Sequence, residues 1–212
     1  MPTGPQSGRE ILRSKMASEI TDIAAYFDRL SSTIAQLPFD TIEAVGEALL
    51  KAFESDQTIF MFGNGGSAAL ASHFACDLNK GTVNGSDKRF KVMALTDNLP
   101  LITAWANDTS YDQIFSQQIS NFIRPGDVAF GISGSGNSAN VLNALQTARR
   151  AGASTIGLTG FFKGGKMLPL CDLCMVVPSD NLQVVEDLHL CTTHALFTCV
   201  RRKLQRYSTA FA

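Results

Sequence analysis

Residues 57 to 77 read QTIFMFGNGGSAALASHFACD. A β-branched and aromatic run breaks into Gly63, Asn64, Gly65, Gly66 and Ser67, then continues as a helical segment that carries His73 and Asp77 four residues apart. Strand, glycine loop and helix in succession are the building unit of a parallel sheet. The unit recurs. FKVMAL, DVAFGI, STIGLT and LCMVVP are four further strand candidates, separated by LPLITAWAND with FSQQISNFI, by SANVLNALQTARRAG and by the short GGKMLPLCD. One long helix over residues 181 to 206 follows. Unbroken apolar strands between helices predict an α/β fold with a five-stranded parallel sheet covered on both faces.

Two helices precede the first strand. The segment 10–37 places Ile11, Met16, Ile20, Ile23, Ala24, Phe27 and Leu30 at helical spacing, and FDTIEAVGEALLKAFES forms a second helix with Asp40 as its expected cap. The expected organisation is a single domain over 1–212, with a helical layer at 1–55 and an α/β core with its C-terminal helix at 56–206.

Composition narrows the function classes. The chain has 212 residues, of which 45% are hydrophobic and 17% charged, and a formal net charge of -1. That balance offers no electrostatic footprint for nucleic acid or an anionic membrane. No stretch approaches the ~20 apolar residues of a membrane span, and MPTGPQSGREILRSKM has no apolar signal core, so a cytoplasmic location is expected. The five cysteines, at 76, 171, 174, 191 and 199, fall in apolar stretches and suit reduced thiols in a core better than a disulfide framework. Cys171 and Cys174 form a CxxC, but a metal ribbon needs a second pair and the redox version opens a helix instead of preceding MVVP. The sequence therefore gives that motif no weight.

In an open parallel sheet, ligands bind beyond the carboxyl ends of the strands, where helix N-termini point. Two of those loops here share one chemistry. GNGGSA follows the first strand, and SGSGNSAN, with Ser133, Ser135 and Ser138, follows DVAFGI. Glycine lets the backbone approach a ligand, serine supplies neutral donors, and the helix behind adds unpaired N–H groups and a positive dipole end. A phosphate is the expected guest. Neither loop reads GxxxxGK[ST] or GxGxxG, which disfavours a nucleotide cofactor.

The chain has three histidines, His73, His189 and His194, and all lie on two helices that also carry Asp77 and Glu186. His73 and Asp77 share a helix face. Glu186 and His194, two turns apart, are expected to share another, with His189 on the neighbouring stripe as a structural residue. Two nitrogen and two oxygen donors suit zinc if the helices converge.

GNGGSAALASHFACDL, LTDN, NDTSYDQIFSQQI, PGDVAFGISGSGNSANVLNAL, TIGLTG with GGKM, and VEDLHLCTTH occur in the order found in the sugar isomerase domain family. The chain resembles that family over nearly its whole length, in its phosphoheptose isomerase branch. The resemblance implies a flavodoxin-like three-layer fold, a homotetramer whose N-terminal helices form a shared bundle, and active sites between subunits. It implies an aldose–ketose isomerase that acts on a sugar phosphate, sedoheptulose 7-phosphate above all, through an enediol. Ser67, Ser133, Ser135 and Ser138 would hold the phosphate, Asn64 and Gly65 would line the sugar, and Asp97 and Glu186 would lie beside the substrate. Asp77 would act as base and His194 as acid. A divalent metal, zinc in most members, would take His73, Asp77, Glu186 and His194 as ligands.

The chain departs from the family pattern at four places. Asp77 replaces a Glu, Glu186 a Gln, Gly81 a basic residue, and Gly134 the Thr of STSGNS. These departures leave open an isomerase for another phosphosugar. The family also holds non-catalytic members that bind a phosphosugar or serve as a platform for a replication initiator protein.

Overall fold

The computed structural model describes residues 20–83, 88–161 and 163–210. They divide into two compact units, Met1–Gln36 and Leu37–Ala212. In the first, α1 (Ile23–Ile34) starts at Asp22, whose side chain accepts from the Ala25 N–H and caps the helix. Of the helix expected over 10–37, the described residues contain Ile23–Ile34, and Ile11 and Met16 lie outside the described residues.

The second unit begins with α2 (Phe39–Glu54). Its N-cap is Pro38, and Asp40 sits inside the first turn, where its charge favours the helix dipole. α2 packs on the last strand and the final helix.

The sheet contains β1 (Thr58–Gly63), β2 (Lys91–Ala94), β3 (Val128–Ile132), β4 (Ser154–Thr159) and β5 (Leu173–Val176), all parallel, in the order β2-β1-β3-β4-β5. The central strands are apolar on both faces because helices cover both. α4 (Leu99–Asp108), α5 (Ile114–Phe122) and α6 (Ala139–Arg150) cover one face, where Phe60, Phe62, Phe115, Ala129, Val141 and Leu145 form a buried cluster. α3 (Gly66–Cys76) and α7 (Leu182–Ala210) cover the other, and Phe74 of α3 meets Phe130 of β3 edge-on at 5.8 Å. Burying one such aromatic side chain contributes roughly 1.5–3 kcal/mol.

All five cysteines are free thiols, as expected, but not all are core residues. Cys76, Cys191 and Cys199 are exposed and Cys171 and Cys174 half-buried. The local run around each is apolar, but a helix turns neighbouring residues to opposite sides, so the run does not decide burial. Among the described residues, no helix is long and apolar enough to cross a membrane.

Candidate active site

The strand order reverses between β1 and β3, and the two glycine–serine loops leave the sheet at that switch point. Gly63 pairs with Ile132, so the loops start side by side. Gly63 must be glycine here: a Cβ on it would lie 2.8 Å from the Ile132 carbonyl oxygen and 2.8 Å from Ser67 Cβ. Gly65, with φ of 56°, turns the chain into α3 in the left-handed region that glycine tolerates best. Ser67 is buried in the first turn of α3. In the second loop, Ser133 is buried, its hydroxyl 3.1 Å from that of Ser138, and exposed Ser135 accepts from the Asn137 N–H at 3.2 Å. Ser138 is the N-cap of α6 but makes no side-chain capping bond, which leaves its hydroxyl for the loop.

Two asparagines tie the loops together. Asn64 Nδ2 donates to Asn140 Oδ1 at 2.9 Å, and Asn140 Nδ2 donates back to Asn64 Oδ1 at 2.8 Å. Asn140 Oδ1 also accepts from the Val141 N–H, and the Tyr111 hydroxyl donates to Asn64 Oδ1 at 3.0 Å. The Asn64 side chain, expected to line the sugar, is thus taken up in holding the loop. Asn140 and Tyr111 escape sequence reasoning; the one available signal is an asparagine just inside a helix, where it is an indifferent helix former.

α3 presents its chemistry two to three turns later. His73 Nε2 lies 2.9 Å from His194 Nε2 and 3.6 Å from Asp77 Oδ2. The donor atoms of His73, Asp77 and His194 all fall within 4.8 Å of one another. Half of the His73 side chain and 22% of that of Asp77 are exposed. At Asp77 the helix widens into a π-turn over Asp77–Gly81, a feature common at functional sites. Two imidazole nitrogens and one carboxylate, facing one point with solvent beyond, suit a cation bound at ~2.0–2.2 Å with a position left for substrate.

Glu186 does not join that group. Its carboxylate instead lies against the start of α3, 3.3 Å from where a Cβ on Gly66 would stand. Glu186, His73 and Ser67 line one cleft of about 300 Å³, together with Gly66, Leu70 and His189. Ser133, Ser135 and Ser138 are outside its lining, across the Asn64–Asn140 clamp. Asp97, beyond β2, accepts from the Ser72 hydroxyl, which places this carboxylate beside the α3 turn that carries His73.

His189 is 1% exposed and its Nε2 donates to the Thr159 carbonyl at 3.0 Å. Burial drives its pKa down to about 4, against a smaller opposing effect of that carbonyl. The ring is therefore neutral, with Nδ1 as a lone-pair acceptor that has no partner. Two of the departures from the family pattern also find a cause. A side chain on Gly81 would strike Phe197 Cζ at 2.5 Å, and one on Gly134 would strike Leu182 Cδ1 at 2.7 Å, so apolar groups of α7 fill the space that larger residues would need.

Residues 24–160 match the SIS domain family. The chain is 43% identical over 160 residues to the phosphoheptose isomerase of Rhodospirillum rubrum, covering 74% of this chain and 84% of that protein. It is 36% identical over 185 residues to the phosphoheptose isomerase of Aliarcobacter butzleri, covering 87% and 96%. The solved phosphoheptose isomerase of Neisseria gonorrhoeae superposes with a TM-score of 0.78 at 32% identity, covering 84% of this chain and 96% of that one.

Proposed function

This chain belongs to the SIS domain family, and on that premise we propose that it is an isomerase interconverting sedoheptulose 7-phosphate and D-glycero-D-manno-heptose 7-phosphate. The observation that carries the reading is the convergence of His73, Asp77 and His194 from two helices, next to a cleft that Ser67 and Glu186 share.

Ser67, Ser133, Ser135 and Ser138 receive the phosphate, as neutral hydroxyls beside two helix N-termini suit an anion. With the phosphate held, the carbonyl end of the sugar is presented to the triad. The Asp77 carboxylate removes the proton from the carbon beside the carbonyl, and His194 carries a proton to and from the oxygens, so that an enediol forms and collapses on the other carbon. Without metal, His73, within hydrogen-bond distance of His194, holds that ring's tautomer. Aspartate reaches one methylene less far than glutamate, and the π-turn changes the direction in which Asp77 leaves the helix. Glu186 and Asp97 face the sugar hydroxyls. His73, Asp77 and His194 would hold a divalent metal, zinc by its preference for this donor set, which supplies carbonyl polarisation when bound.

We read the protein as a cytoplasmic homotetramer with its sites between subunits. Supporting this, the triad opens to solvent, and Leu190 in the cleft lining and Leu182 at the start of the same helix are exposed. The near-neutral charge supports the absence of a nucleic-acid partner. The test is turnover of sedoheptulose 7-phosphate by purified protein, chelator-treated and zinc-loaded, beside Asp77→Asn and His194→Ala. Turnover that zinc restores and both variants lose is the expected result. Binding of the sugar phosphate without turnover in any metal state would sink the isomerase reading in favour of a sensor.

A further inference from the structure

Cys171 and Cys174, which the sequence alone gives no weight, are brought face to face by a bend. Asp172 stands at that bend, and its carboxylate accepts from the Thr155 N–H at 2.8 Å and the Thr155 hydroxyl at 3.0 Å. The Asp172 N–H donates in turn to the Thr155 carbonyl at 2.9 Å. With Asp172 pinned, Cys174 enters β5 opposite Gly157 of β4, and Cys171 folds back over the same glycine. A Cβ on Gly157 would lie 2.7 Å from Cys171 Sγ, 3.1 Å from Cys174 Sγ and 2.8 Å from Met167 Cε. The glycine thus makes the room in which the two thiols meet. Both residues are half-buried, so neither is sealed off from small reagents.

We propose that Cys171 and Cys174 are a dithiol modification site that closes to an intramolecular disulfide by exchange with a low-molecular-weight disulfide. The two thiols differ in the way this requires. The Cys171 thiol hydrogen-bonds to that of Cys174; this bond, together with burial, raises the Cys171 pKa, whereas at Cys174 the bond lowers the pKa against the opposing effect of burial. Cys174, having given its proton to water, attacks one sulfur of the reagent, and a first reagent thiolate leaves and takes up a proton. Cys171 then loses its proton and attacks Cys174 Sγ, and the second reagent thiolate leaves with that proton. Two protein thiols are oxidised to one disulfide, and one reagent disulfide is reduced to two thiols.

The site adjoins the second serine loop. Cys171 ends the 3₁₀ segment Gly165–Leu170, whose Met167 N–H donates to the Gly136 carbonyl at 2.9 Å and whose Lys166 N–H donates to Asn137 Oδ1 at 3.2 Å. Joining the sulfurs moves the end of a strap that braces Gly136 and Asn137. The site itself is independent of the isomerase reading, because its test reads covalent state.

The reduced full-length protein is treated with oxidised glutathione and followed by intact mass and peptide mapping, with phenylarsine oxide, a dithiol reagent, applied in parallel. A Cys171–Cys174 cross-link with loss of two hydrogens is expected, while exposed Cys76, Cys191 and Cys199 carry glutathione. Cys171→Ser should retain glutathione on Cys174 and lose one bound arsenical per chain. Hydrogen exchange at the Met167 amide should be faster in the oxidised protein. Stable glutathione on Cys174 of the wild type, or both thiols untouched once the exposed three have reacted, would overturn the proposal. Arsenical binding to the wild type reads the pair even if the serine variant fails to fold.

Discussion

His194 and His189 stand five residues apart on one helix and serve opposite purposes. His194 is exposed, its Nε2 2.9 Å from His73, in a group of donors that face a common point. His189 is buried, neutral and spent on a backbone carbonyl at the end of β4. The same division separates the open triad from the closed Asn64–Asn140 clamp. Polar groups left open to solvent keep their chemistry for a ligand. Those satisfied inside the fold fix where the open ones point, and leaving one of them unpaired costs stability.

That contrast can be broken most sharply at Asp77. Asp77→Asn keeps shape and removes the base, so kcat on the sugar phosphate should fall about 10²–10⁴-fold. Its unfolding free energy from urea titration should stay within ~0.5 kcal/mol of the wild type, since the residue is not part of a buried network. A large stability loss with intact turnover would place Asp77 among the positioning residues instead.

His189 should show the reverse. Its folded pKa, about 4, lies below the ordinary value of 6.5, so the unfolded chain binds the proton more readily between the two. Stability is complete above pH 6.5 and is lost as pH falls toward 4, by roughly 3 kcal/mol. Urea unfolding across that range measures it. His189→Gln, whose amide can still donate to the Thr159 carbonyl, should flatten the slope; an unchanged slope would assign it to other groups.

Asn140→Ala deletes one half of the clamp and leaves the Asn64 amide short of partners, at a cost of about 1–3 kcal/mol in denaturation. Because the clamp also sets the first loop, KM should rise more than kcat falls. An effect on kcat alone would mean that Asn140 reaches the reacting atoms.

The smallest effect is expected at Gly134. A methyl group there meets the far end of Leu182, a side chain able to give way, so Gly134→Ala should cost about 1 kcal/mol. The cost should vanish in a Leu182→Ala background. Additivity of the two changes in a double-mutant cycle would show that Leu182 does not fill that space.

All five strands, the two glycine–serine loops and the His73–Asp77 pair were legible in the sequence, because each is a local pattern set by side-chain periodicity and backbone freedom. Residues 57 to 77 alone already contain a strand, an anion-suited loop and a helix with two donors one turn apart. Which distant residues join them was not legible in spacing or periodicity, and His194 and Glu186 were expected there only through the family resemblance. The donor atoms of His194 lie with those of His73 and Asp77, and those of Glu186 are outside that group. Asn64 is spent on Asn140, 76 residues away, and the two cysteines of the CxxC meet over Gly157 where Thr155 pins the bend between them. Sequence by itself determined the elements and the chemistry at their ends; only tertiary structure decided which polar groups meet, because burial and hydrogen-bond geometry depend on elements far apart in the chain.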